Sequence, residues 1–129
     1  MYNDTRSIRI FRLLLISSFI YIGALEAQYI PGQTYYGTNN YIEYQCGNYP
    51  LIISAPHAGT LEPSEIADRT CGALDNDVNT NETVRLIRDS IYAKTGKYPH
   101  VIINRLRRVK LDPNRELYEA TCGDPISEI

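Results

Sequence analysis

Two short apolar runs with one amphipathic segment between them constrain this chain more than any other feature. The first run is YPLIISAP, residues 49–56, with a proline at each end. The second is HVIIN, residues 100–104. Continuous apolar runs of that length read as strands buried on both faces. Between them, ETVRLIRDSIYAKT, residues 82–95, places Val84, Ile87, Ile91 and Tyr92 at i, i+3, i+7 and i+8. That spacing predicts a helix with one apolar face. Thr80 is the expected N-cap, with Thr83 as a weak capping box, and Gly96 is the expected stop. Strand, helix and strand in that order predict a βαβ unit and therefore a parallel α/β sheet.

The flanking segments read differently. Residues 57–81 lack a helical period and form a long loop, with a short helix expected near Pro63-Ser64-Glu65-Ile66. RELYEAT, residues 115–121, opens another helix, which Cys122-Gly123 breaks. Residues 28–48 are a Tyr-rich lead-in. Its tyrosines, Tyr35, Tyr36, Tyr41 and Tyr44, are expected to pack on a sheet edge, as one or two edge strands or a flexible entry.

Residues 1–27 read as a secretory signal peptide. Arg6, Arg9 and Arg12 form a basic region, residues 13–24 are apolar and uncharged, and Ala27 offers a cleavage point. The apolar stretch is shorter than the ~20 residues that span a bilayer, so an uncut signal anchor is the lesser reading. The mature chain is expected to be secreted, to start near Gln28 and to have no stable membrane association. Three cysteines, Cys46, Cys71 and Cys122, then meet an oxidising compartment. Three allow one intrachain pair and leave one thiol, open to an intermolecular disulfide. They have no CxxC spacing, which argues against a structural zinc site. A net charge of −2 over 129 residues excludes a general affinity for nucleic acid.

The chemistry-bearing residues gather around one end of the expected sheet. His57, in SAPHAG, follows the carboxyl end of the first strand, where open α/β sheets bind ligands. Its imidazole is a candidate metal ligand, although a lone histidine in a turn is more often structural. DNDVNTNE, residues 75–82, places Asp75, Asp77 and Glu82 at the start of the clearest helix. They are candidate ligands or bases, and capping explains one of them. INRLRRVKLDPNRE, residues 103–116, carries Arg105, Arg107, Arg108, Lys110 and Arg115 on the loop after the second strand. Such a loop is either a carboxylate-binding wall or a solvated charged surface.

Three blocks, SAPHAGTLEPSEIADRT, DNDVNTNE and PHVIINRLRRVKLDPNRELYEA, resemble the N-formylglutamate amidohydrolase family in order and spacing. The resemblance covers residues 50–125. It implies a three-layer, parallel-sheet α/β domain of the phosphorylase/hydrolase type over residues 49–129, incomplete here. It implies zinc as cofactor and hydrolysis of the amide of an N-acyl amino acid. His57 and Asp77 match metal ligands. Arg69, Asn104, Arg105 and Arg115 match positions that face the substrate carboxylates. Glu82 is the best remaining candidate for the general base.

The family places a further histidine-rich segment downstream, and this chain stops at Ile129 before it. The chain therefore reads as a fragment or truncated form whose third ligand is missing. His100, at the start of the second strand, belongs to the opposite edge of the sheet and is not counted as a ligand. The alternative expectation is a non-catalytic secreted module that binds acidic small molecules.

Overall fold

The computed structural model describes residues 29–127. The expected signal peptide, residues 1–27, lies outside the described residues. Four strands form one sheet: β1 (Thr34–Tyr36), β2 (Ile42–Gln45), β3 (Ile52–Ala55) and β4 (His100–Asn104). Two α-helices, α1 (Thr80–Thr95) and α2 (Leu117–Thr121), complete the regular structure with a 3₁₀ turn over Thr38–Asn40.

The predicted βαβ unit is β3–α1–β4. The two strands are parallel neighbours, with Ile53 opposite Val101 and Ala55 opposite Ile103. A further bridge, Leu61 to Leu106, carries the parallel pairing past the strand ends. The sheet order is β1-β2-β4-β3, and both β2–β4 and β1–β2 are antiparallel. The sheet is therefore mixed rather than parallel throughout. The Tyr-rich lead-in supplies the antiparallel half, and β2 lies inside the sheet beside β4. Tyrosines do pack together there: Tyr29 meets Tyr35 and Tyr44 edge to face, with ring centroids 4.7 and 5.4 Å apart.

Alternation sorts the two faces. Ile53, Ala55, Val101 and Ile103 share one face and form the core with Val84 of α1. Glu43 and Gln45 of β2 lie on the same face, opposite Ile103 and Val101. Helix α1 covers them with arginines: Arg85 bonds Glu43, and Arg88 bonds Gln45. This sets the helix rotation. Val84 is buried, whereas Ile87 and Tyr92, expected on the buried face, are exposed. A polar strand face needs partners, and the arginine stems supply apolar cover as well. Tyr92 instead stacks on Tyr98, centroids 4.0 Å apart.

Two local expectations are corrected. Thr80 is the first helical residue and not the cap. Asn79 precedes it in the left-handed conformation and makes no side-chain cap. The Thr83 hydroxyl donates back to the Asn79 carbonyl at 2.7 Å. Residues 63–66 form a turn, not a helix, as expected for a segment with Pro63 and no apolar period. The other helix ends follow the sequence. Gly96 closes α1 in the left-handed region, its N–H on the Tyr92 carbonyl, and Cys122 closes α2.

Candidate functional site

His57 leaves β3 two residues after Ala55 and is buried. The chain turns back at once, and Gly59 makes that turn fit. A Cβ there would sit 2.2 Å from the Arg105 backbone carbon and 2.3 Å from the Leu106 oxygen. The 57–79 loop is then tied down by amide side chains. Asn76 donates to the Gly59 carbonyl at 2.6 Å and accepts from the Arg108 N–H at 2.8 Å. Asn81 donates to the Ala58 carbonyl at 3.0 Å. The Asp77 N–H donates to the His57 carbonyl at 3.1 Å.

These ties bring two carboxylates onto one imidazole. His57 Nδ1 lies 3.0 Å from Asp77 Oδ2. His57 Nε2 lies 2.7 Å from Asp112 Oδ1. Asp112 is fully buried and Asp77 about half-exposed. Arg108 spans the pair: its Nε donates to Asp112 Oδ2 at 2.9 Å, and its Nη1 lies 3.6 Å from Asp77 Oδ1. Burial pushes the Asp112 carboxyl up, but hydrogen bonds from Arg108, His57 and the Asn114 N–H outweigh it and hold the group below its ordinary value.

Counting protons exposes what is unusual here. A neutral imidazole has one N–H and one lone pair. Two carboxylate oxygens face the two nitrogens, so one contact needs either a second proton or a cation. This is the test for zinc. Two ligands of one tetrahedral zinc, each bonded at ~2.0–2.2 Å, lie roughly 3.3 Å apart. The Nδ1 to Oδ2 distance of 3.0 Å is close to that. The half-exposed Asp77 side opens to solvent, and the Nε2 side is closed by buried Asp112. His57 and Asp77 thus fit as a ligand pair. Among the described residues, no group of three or more His, Cys, Asp or Glu is arranged to hold a metal.

The remaining candidates are placed as follows. Glu82 is exposed in the first turn of α1 and makes no hydrogen bond or ion pair with the cluster. Asn104 is buried and holds backbone, donating to the Pro56 and Leu106 carbonyls and accepting from the Leu106 N–H. Arg69 is buried, and its Nη atoms donate to four carbonyls, those of Ala73, Arg108, Cys71 and Glu119, at 2.8–3.2 Å. Arg105 donates to the Asn40 carbonyl and lies over the Tyr36 ring. Arg115 is exposed, 3.6 Å from Glu119. Asp75 offers Arg108 only its carbonyl, at 3.4 Å. His100 sits at the start of β4, with Nδ1 on the Tyr44 hydroxyl and the Gly47 N–H, away from His57.

The basic run after β4 turns largely inward. Arg108 and Lys110 are buried on Asp112 and Asp68, and Arg107 pairs with Glu62. The cavities beside it are apolar. One of about 470 Å³ is lined by Tyr41, Ile42, Ile66, Leu106 and Leu111 among others, with Glu65 as its charged residue. Asp112 and Arg108 are the site residues that sequence reasoning missed as a pair. The signal was the i, i+4 spacing of an arginine and an aspartate within a run read only as basic. No protein-family profile, no curated protein and no solved structure matches this chain.

Proposed function

We propose that this chain belongs to a zinc-dependent amidohydrolase-like protein that hydrolyses the amide of an N-acyl amino acid, as its resemblance to the N-formylglutamate amidohydrolases implies. The observation that carries the reading is the His57 Nδ1 to Asp77 Oδ2 contact at 3.0 Å, beside a half-exposed opening. Those two residues would hold the metal. Zinc bound there would polarise an amide carbonyl and acidify water.

The chain's own residues supply the rest. Asp112 and Arg108 hold His57 and Asp77 in place. Glu82, five residues after Asp77 and without an ion pair, is the proposed base that takes a proton and returns it to the leaving amine. Arg115, exposed and three residues after Asp112, is the arginine best placed to hold a substrate carboxylate. Arg69, Asn104 and Arg105 support it by fixing the surrounding backbone. The three-layer hydrolase architecture, secretion after signal cleavage and a small N-acyl amino acid as partner belong to the same reading.

The test is zinc content and amidase activity of the secreted chain, with N-formyl and N-acetyl amino acids as substrates. The expected result is zinc-dependent turnover that His57→Ala abolishes together with metal binding. Stoichiometric zinc retained by that variant would sink the assignment. Binding of a glutamate analogue without turnover would favour the non-catalytic module.

A further inference from the structure

Asp112 has no part in the chemistry just described, yet it is the most constrained side chain of the cluster. It is fully buried. Its Oδ1 accepts from His57 Nε2 at 2.7 Å and from the Asn114 N–H at 3.1 Å. Its Oδ2 accepts from Arg108 Nε at 2.9 Å. Donors thus reach both oxygens from three directions. A carboxylate held in this way cannot swing outward to become a ligand itself.

The consequence falls on the imidazole. We propose that Asp112 is the positioning residue of this site: it takes the Nε2–H of His57, fixes the ring tautomer, and presents Nδ1 to a divalent cation beside Asp77. Metal-bound histidines commonly donate their second ring N–H to a carboxylate, which fixes ring orientation and strengthens the ligand. Arg108 extends the arrangement. One guanidinium touches Asp112 and approaches Asp77 Oδ1, so the ligand and the orienting carboxylate are held by one side chain. The inference rests on the zinc reading of His57 and Asp77.

The test uses the full secreted chain labelled with ¹⁵N. Long-range proton–nitrogen correlation reads the His57 ring nitrogens, with His100 as internal control, during titration with zinc chloride. The expected result is a zinc-dependent shift at Nδ1 while Nε2 keeps its proton. Metallation of Nε2 would overturn the proposal in the wild-type chain alone.

Asp112→Asn is expected to weaken zinc binding 10- to 100-fold and to mix the two ring tautomers. Because that change strands a buried Arg108, the double variant Asp112→Asn, Arg108→Gln is measured beside it. Wild-type zinc affinity and wild-type ring signals in either folded variant would overturn the positioning role and leave the zinc reading standing. No zinc-dependent shift in the wild-type chain would remove the zinc reading, and this proposal with it.

Discussion

The guanidinium of Arg85 meets the carboxylate of Glu43 side by side, with Nη1 2.6 Å from Oε1 and Nη2 2.7 Å from Oε2. This pair joins α1 to the inner face of β2 where an apolar contact would be usual. Glu43 is buried, and Gln45 adds a third bond at 2.6 Å. The Arg85 hydrogen bonds lead in holding the Glu43 carboxyl below its ordinary value, against the upward push of burial. A carboxylate whose folded pKa is lowered contributes stability above its unfolded pKa, and loses it as pH falls through the folded value. Glu43→Gln should therefore melt roughly 5–10 °C below wild type at pH 7. The gap should narrow below about pH 4, where the unfolded carboxyl is protonated. Thermal melts from pH 7 to pH 3 check this, and a gap that stays constant would argue against it.

Gly59 follows the histidine for a steric reason. Its φ is not in the left-handed region, so what matters is the Arg105–Leu106 backbone crossing above it. Gly59→Ala would push the 57–61 turn away from the extension of β4. The loss of close packing should cost about 1–3 kcal/mol. It should also loosen the Leu61 to Arg105 and Arg107 to Leu61 backbone bonds, both 2.9 Å. Hydrogen exchange at the Leu61 and Arg107 amides reads this directly. Unchanged protection in the variant would show that the turn has room to spare.

The sequence shows the parts of this fold whose signal is local. The strands at 52–55 and 100–104 stand out because Ile and Val runs end at prolines and loop residues. Helix α1 stands out because Val84 begins a helical period and Gly96 ends it. Strand β2 does not, because IEYQ alternates with Glu43 and Gln45 turned inward, the reverse of the usual pattern. Their partners, Arg85 and Arg88, lie 42 and 43 positions along the chain. The site divides in the same way. His57 is legible from its turn after a strand, and Asp77 from its place before a helix. Asp112 is hidden, because only the tertiary fold brings it 55 positions back to the imidazole. Arg69 is legible as a charged residue in a loop, but nothing local tells that its partners are carbonyls.

Arg69 supplies a sharp contrast between holding the backbone and holding a substrate. Its guanidinium ties residues 71–73 to Arg108 and to the Glu119 turn of α2. Its Nε is buried without a hydrogen-bond partner among the described residues. Lysine keeps the charge but not the planar fork that serves four acceptors. Arg69→Lys should therefore cost about 3 kcal/mol, because several buried carbonyls lose their donors. Denaturant unfolding of the full chain measures the loss. A variant with wild-type stability and a raised KM for the amide substrate would instead restore Arg69 to the substrate-facing role.

The disulfide acts on the same region. Cys71 and Cys122 are bonded across a separation of 51 residues, joining the loop before Asp77 to the end of α2. Chain-entropy reasoning gives a crosslink closing a loop of that length about 4 kcal/mol. Cys46, the third cysteine, is free and buried, its Sγ turned to the Gly47 carbonyl. The folded chain should therefore show one thiol that a water-soluble reagent reaches only on unfolding. It should run as a monomer on a non-reducing gel. Reductant should lower the wild-type melting temperature by ~10 °C or more and leave the Cys71→Ser, Cys122→Ser variant unchanged. A disulfide-linked dimer, or a Cys46 thiol that reacts as fast in the folded chain as in the unfolded one, would place Cys46 at the surface instead.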